Sequence, residues 1–186
     1  MTRKEHEKRV QELVGSTLAE VLYFEIDYHD EAGAPLTKPL WDWNGRFDSL
    51  DFGLELRTGE EDAFWISWGH EFFQYDIEVE RNTQDDRSRM RMWNVSRESR
   101  WQPLLGKKIT GVHTYWSWVE QTSGQGRERI QFPQDLAVSF ETGATVYLSA
   151  FEIWQDGSSN GFADNITVFF DEATAKEYGI GPPASE

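Results

Sequence analysis

Few residues in this 186-residue chain combine the types and the spacing that chemistry needs. His70-Glu71-Phe72-Phe73-Gln74 starts like a zinc-protease helix. That motif works because two imidazoles at i and i+4 face one metal. Here Gln74 stands where the second histidine should, and the surroundings read as strand, so the pattern is set aside. Asp27 and His29 would share one face of a strand, where joint ligation or acid–base work is geometrically open. A solvated strand end is the simpler reading. Asp156, Ser158 and Asn160, with Gly161 in the sixth place, open like a calcium loop, and Asp164 is a further oxygen donor. The twelfth place is Thr167, which cannot ligate as a bidentate acid, so a polar β loop is expected. No metal and no cofactor are expected.

Pairs of carboxylates invite a glycosidase reading: Asp48 with Asp51, Glu55, Glu141, Glu152 and Asp164. Among 33 acidic residues, however, coincidental neighbours are unavoidable. No Gly-rich phosphate loop and no Ser-His-Asp or nucleophile-elbow pattern is present. There is no cysteine, which excludes disulfides and thiolate chemistry.

What stands out instead is aromatic. The chain has 9 Trp, 6 Tyr and 12 Phe. Trp116 and Trp118 at i and i+2 would form a two-ring stripe on one strand face. Trp41 and Trp43 fall in a loop and are the better candidates for exposure. Core packing is the bland alternative for all of them. The net charge is −15, from 18 basic and 33 acidic residues. Such a surface repels nucleic acid and anionic membranes, because both demand clustered Lys and Arg. It attracts a basic protein and accelerates encounter with it. The expected contact surface comprises Trp41, Trp43, the acidic turn Glu60-Glu61-Asp62, Trp116 and Trp118. A sugar stacking on the tryptophans is the alternative ligand.

The elements that must position these residues are strands. Leu13-Val14-Gly15 through Val21 is echoed by Leu104-Leu105-Gly106 through Val112, and Asp51 to Gly59 by Asp135 to Gly143. After each Thr-Gly an aromatic run follows, Phe64 to Trp68 and then Val146 to Ala150. A period this long implies a duplicated β unit, spanning residues 12–80 and 103–170. Alternation from Leu50 to Leu56 and from Phe73 to Val79 gives strands with one buried face. Residues 81–100, polar and rich in arginine, read as the connection between the halves, a loop with at most a helical turn, although Arg87, Arg89 and Arg91 alternate and could instead line one strand face. A charged helix is expected over residues 2–12. A second is expected after Asp171 as N-cap, stopped by Gly179 and followed by a tail within 171–186. The expected fold is a single all-β antiparallel domain with short terminal helices. Its two meanders would form a sandwich or a closed barrel with pseudo-twofold symmetry. No apolar stretch approaches transmembrane length and the polar start lacks a signal-peptide core, so the cytoplasm is the expected location.

The phrases Trp101-Gln102-Pro103-Leu104-Leu105-Gly106-Lys107-Lys108-Ile109, Phe132-Pro133-Gln134-Asp135-Leu136 and Ser139-Phe140-Glu141-Thr142-Gly143 resemble the text of small bacterial domains. Acidic, cysteine-free proteins of this kind resemble the immunity proteins that neutralise contact-delivered toxins. The resemblance covers mainly the second half. It implies a non-enzymatic inhibitor that captures a basic partner, and it supplies no individual site residue.

Overall fold

The computed structural model describes residues 1–29, 32–35, 39, 41–43, 45–59, 62–83, 90–123, 126–154, 157–161 and 163–182, and for Asp42, Trp43 and Ser123 the backbone alone. Helix α1 (Arg3–Gln11) opens the chain. Thr2 caps it reciprocally: its hydroxyl accepts from the Glu5 amide, and the Glu5 carboxylate accepts from the Thr2 amide at 2.7 Å. The first strands are β1 (Glu20–Ile26), β2 (Asp42–Trp43), β3 (Phe47–Leu50), β4 (Gly53–Arg57), β5 (Ala63–Gly69), β6 (Asp76–Arg81) and β7 (Met90–Asn94). The later ones are β8 (Ile109–Ser123), β9 (Gly126–Phe140), β10 (Thr145–Ala150), β11 (Glu152–Ile153), β12 (Ser159–Asn160) and β13 (Ile166–Phe169), followed by helix α2 (Glu172–Glu177). Asp171 caps α2 as the sequence predicts, accepting from the Thr174 amide at 2.7 Å.

The strands form two open antiparallel sheets, in the orders β6-β5-β4-β1-β7 and β2-β3-β13-β10-β9-β8, plus the short pair β11-β12. No pairing among the described residues closes them into the barrel that was one expectation. Alternation explains how the sheets meet. Leu54 and Leu56 of β4 and Phe64 and Ile66 of β5 share one buried cluster with Leu136 and Val138 of β9 and Val146 and Leu148 of β10. Each strand therefore contributes every second side chain to the space between the sheets. Gly53 is required where β4 meets β5, because a Cβ there would stand 2.4 Å from the Ile66 carbonyl oxygen.

A polar network ties the two layers together. Asp48 of β3 accepts from the Tyr23 hydroxyl of β1 at 2.8 Å and from the Arg100 guanidinium at 2.5 Å. Trp101 Nε1 donates to the Tyr23 hydroxyl oxygen at 2.6 Å. Burial, and then the Asp48 charge, hold the Tyr23 hydroxyl well above the usual tyrosine range.

Two expectations are corrected. The connection 81–100 is not all loop, since β7 pairs with β1 from Leu22↔Asn94 to Ile26↔Met90. Its polarity fits a strand at the sheet margin, with only one neighbour to pair with. Trp41, expected in an exposed loop, is buried in the main cluster, its ring edge-on to Tyr23 at 5.2 Å. Its carbonyl accepts from the Ser49 amide, which draws the segment before β2 inward. The outer face of the six-stranded sheet is covered by α2 and the residues after it, with Phe47, Tyr147, Phe169, Ala175 and Ile180 buried together. No described helix is long and apolar enough to cross a membrane.

Candidate functional site

Strand β8 is the last strand of its sheet. Beside it lies a cleft of about 840 Å³ lined by the consecutive residues Val112 to Ser117. One wall is Arg3, Glu7 and Gln11, which recur at helical spacing on one face of α1. The other is Phe151 with Gly179, Ile180 and Gly181, and Gln131, Gln134 and Asp135 of β9 complete the lining. Gln11 Nε2 donates to the Val112 carbonyl at 2.7 Å, so that carbonyl is turned away from β9.

Asp135 is a carboxylate that alternation forces inward, where it is 5% exposed. It faces the same side of the sheet as Ala137. Ser149 Oγ donates to it at 2.6 Å and the Gly181 amide at 3.2 Å. Gly181 can present that amide because it adopts φ +97°, a conformation glycine tolerates. Burial pushes the Asp135 carboxyl up to about 6, and the two hydrogen bonds only partly oppose this.

The expected tryptophan stripe is divided. Trp116 packs under α1, edge-on to His6 at 5.5 Å and to Phe72 at 5.1 Å, with the Arg3 guanidinium 4.8 Å from its ring centre. Trp118 lies further along β8, 49% exposed, with the Arg129 guanidinium 3.8 Å from its ring centre. Trp116 Nε1, Thr114 Oγ1 and His6 Nε2 are all buried without a hydrogen-bond partner. Burial pushes the His6 imidazole down to about 4. Trp43 pairs with Phe47 through its backbone, and its side chain lies outside the described residues.

A second feature is an acidic pole. Tyr28, 40% exposed, follows β1, and its hydroxyl is pushed up to about 12 by partial burial, by the Asp51 charge and hydrogen bond, and by the charges of Asp164 and Glu25. The Asp51 carboxyl is itself raised by burial and by Asp164, against hydrogen bonds from Tyr28 and Asn165. Glu25 is buried and accepts from Trp93 Nε1 at 2.8 Å. Asp164, a metal candidate by sequence, thus joins a carboxylate cluster. Of its supposed partners, Ser158 and Asn160 are exposed and Asp156 lies outside the described residues. Among the described residues no group of three metal-ligating side chains occurs. Asp27 bonds Arg91 at 2.8 Å instead of sharing a ligand with His29.

In the acidic turn, Glu60 and Glu61 lie outside the described residues. Asp62 is engaged by Arg81 at 2.8 Å and Asn82 at 3.4 Å. His70 sits in the turn between β5 and β6, stacked with Trp68 and Tyr75, with no helix beneath it. Sequence reasoning missed Tyr28, Asp135 and Gln11 as site residues. Only the strand alternation around Asp135 carried any signal, an acid on the same side as Ala137. Comparison with family models, curated proteins and solved structures finds no match to this chain.

Proposed function

We propose that this chain is a non-enzymatic module that captures a basic partner protein, with a toxin as the partner its immunity-type resemblance suggests. The observation that carries the reading is the pole around Tyr28, an exposed aromatic ring beside Asp51, Asp164 and buried Glu25. A half-exposed tyrosine beside several partly buried carboxylates suits an interface anchor for a basic partner. The wider charge balance supports it. Arg3, Arg9, Arg46, Arg57, Arg81, Arg91, Arg100 and Lys176 are each engaged by carboxylates of this same chain. These eight are fewer than half of the 18 basic residues, and acids still outnumber bases by 15 over the whole chain. The acidic turn Glu60-Glu61-Asp62 is a secondary contact in this reading, because Asp62 is already engaged by Arg81.

The test is affinity capture from host lysate with the wild-type chain and with Tyr28→Ala and Asp164→Asn side by side. A stoichiometric basic protein, held by wild type, released by salt and lost with the variants, is the expected result. A partner retained equally by all three refutes the pole as the contact.

The alternative ligand is a sugar, favoured by the half-exposed Trp118 ring. Arg129 already occupies a face of that ring at 3.8 Å, which argues against stacking by a pyranose. Tryptophan emission that responds to oligosaccharide and is silenced by Trp118→Ala would reverse this preference. We further infer that the sandwich arose by duplication. The order β1-β4-β5-β6 in one sheet is matched by β8-β9-β10-β13 in the other, and Thr58-Gly59 and Thr142-Gly143 occupy corresponding turns. An experimental structure whose halves fail to superpose would refute it.

A further inference from the structure

We infer that the free edge of β8, within the cleft between α1 and the residues after α2, receives an extended basic-and-apolar segment of the partner protein as an added strand. The inference rests on the protein-binding reading and names its mode of capture. The first support is backbone geometry. The Val112 carbonyl points to Gln11 and away from β9. In an antiparallel strand, residues alternate between facing the neighbour and facing away. Thr114, Trp116 and Trp118 therefore turn their amides and carbonyls outward, where no other strand lies among the described residues. An unpaired edge of this length is a template for an incoming chain.

The second support is unmet polar demand at the same place. Thr114 Oγ1 and Trp116 Nε1 line or border the cleft, buried and without partners. A buried donor left unmade costs about 1–3 kcal/mol, and an added backbone supplies both acceptors and donors within reach of that edge. Chemistry selects the occupant. On one side of β8 lie Val112, buried in the main cluster, and Trp116, packed against His6, Phe72 and Arg3, an apolar layer that apolar side chains of the new strand would extend. On the other it would meet Tyr115 beside the buried Asp135 carboxylate, whose hydrogen-bond donors are neutral, while Lys176 pairs with Glu172 there. With a net charge of −15 behind it, that side suits lysine or arginine. A second copy of this chain is disfavoured, since each copy carries −15.

The probe is an alternating Lys-Val decapeptide added to the full chain, read by residue-resolved amide hydrogen exchange and by tryptophan emission. The expected result is slowed exchange at Thr114, Trp116 and Trp118, with Tyr115 and Ser117, already turned toward β9, unchanged. Trp118→Pro removes an outward amide and should weaken binding about tenfold, whereas Trp118→Ala keeps the amide and should stay within about twofold. If the proline variant fails to fold, the alternating protection pattern in the wild-type chain decides alone. Equal losses in the two variants would show that the ring holds the ligand and would overturn the proposal. Protection that appears without peptide and grows with protein concentration would make a second copy the occupant and also overturn it. If the peptide perturbs only the residues around Tyr28 and Asp164, the edge proposal falls and the protein-binding reading stands. If it perturbs no amide, both fall.

Discussion

Asp48 and Asp135 belong to the same six-stranded sheet and are both buried, yet they point to opposite faces and live in opposite circumstances. Asp48 faces the space between the sheets and meets a guanidinium, Arg100, together with the Tyr23 hydroxyl. Asp135 faces the outer layer and meets only neutral donors, Ser149 and the Gly181 amide. A carboxylate taken out of water needs either a cation or a proton. The first site supplies the cation. The second leaves the group able to take a proton near pH 6. The comparison separates a carboxylate that fastens two layers from one that sits beside a cleft with its charge uncompensated.

The largest effect should come from breaking the first site. Arg100→Met leaves Asp48 buried without its cation, and loss of one partner of a buried pair costs about 3–5 kcal/mol. For a chain of this length that lowers the melting temperature by about 10 °C, readable by thermal or chemical denaturation. Adding Asp48→Leu to Arg100→Met should recover much of the loss, because two apolar side chains replace an orphaned charge. A double variant no more stable than the single one would show that the pair itself, and not the orphan, sets the cost. Tyr23→Phe comes next, at about 1–3 kcal/mol. It removes a donor to Asp48 and the acceptor of Trp101 Nε1 in one step.

The second site should answer to pH. Burial lifts the Asp135 carboxyl in the folded chain to about 6, above the ordinary aspartate value near 3.8. The folded chain therefore binds more protons in that window, and stability from this group falls as pH rises from about 4 to about 6. His6 acts in the opposite sense. Burial holds it at about 4 in the folded chain, below the ordinary histidine value near 6.5, so its contribution is present above 6.5 and is lost as pH falls toward 4. In the wild-type chain the two slopes oppose each other. Asp135→Asn should leave a stability that climbs with pH across the window, and His6→Phe one that declines. Parallel curves for the two variants would contradict the assignment. At pH 7 Asp135→Asn should change stability by no more than about 1 kcal/mol, far less than Arg100→Met.

The contrast also marks what sequence could and could not disclose. Period-two apolar residues announced β4 at Leu54 and Leu56, although Leu50, read into the same run, ends β3 in the other sheet, and Asp171 announced α2, because these signals are local. β7 was visible only as an alternative, in the alternation of Arg87, Arg89 and Arg91, since Met90 to Asn94 carries arginine and asparagine, as a strand with only one neighbour is free to do. Trp41 looked like a loop ring and is core, because its burial depends on Tyr23 and on a hydrogen bond from Ser49. Asp48 and Asp135 were two acids among 33. Nothing in their type or neighbours told which one would find an arginine 52 positions away.

The smallest effect, and the sharpest refinement, concerns the acidic pole, where Asp51, Asp164 and Glu25 all raise the Tyr28 hydroxyl. There the charges oppose one another and the phenol between them. Tyr28 ionises only near 12 because the site is partly dry and a phenolate would have to form beside Asp51, Asp164 and Glu25. Asp164→Asn deletes one remote charge and should move the Tyr28 titration only slightly back toward 10, as followed by ultraviolet absorbance. Asp51→Asn deletes a charge and alters a hydrogen bond together, and should move it further. A Tyr28 titration indifferent to both variants would mean that burial alone holds the hydroxyl up. The pole would then have no field with which to draw a basic partner.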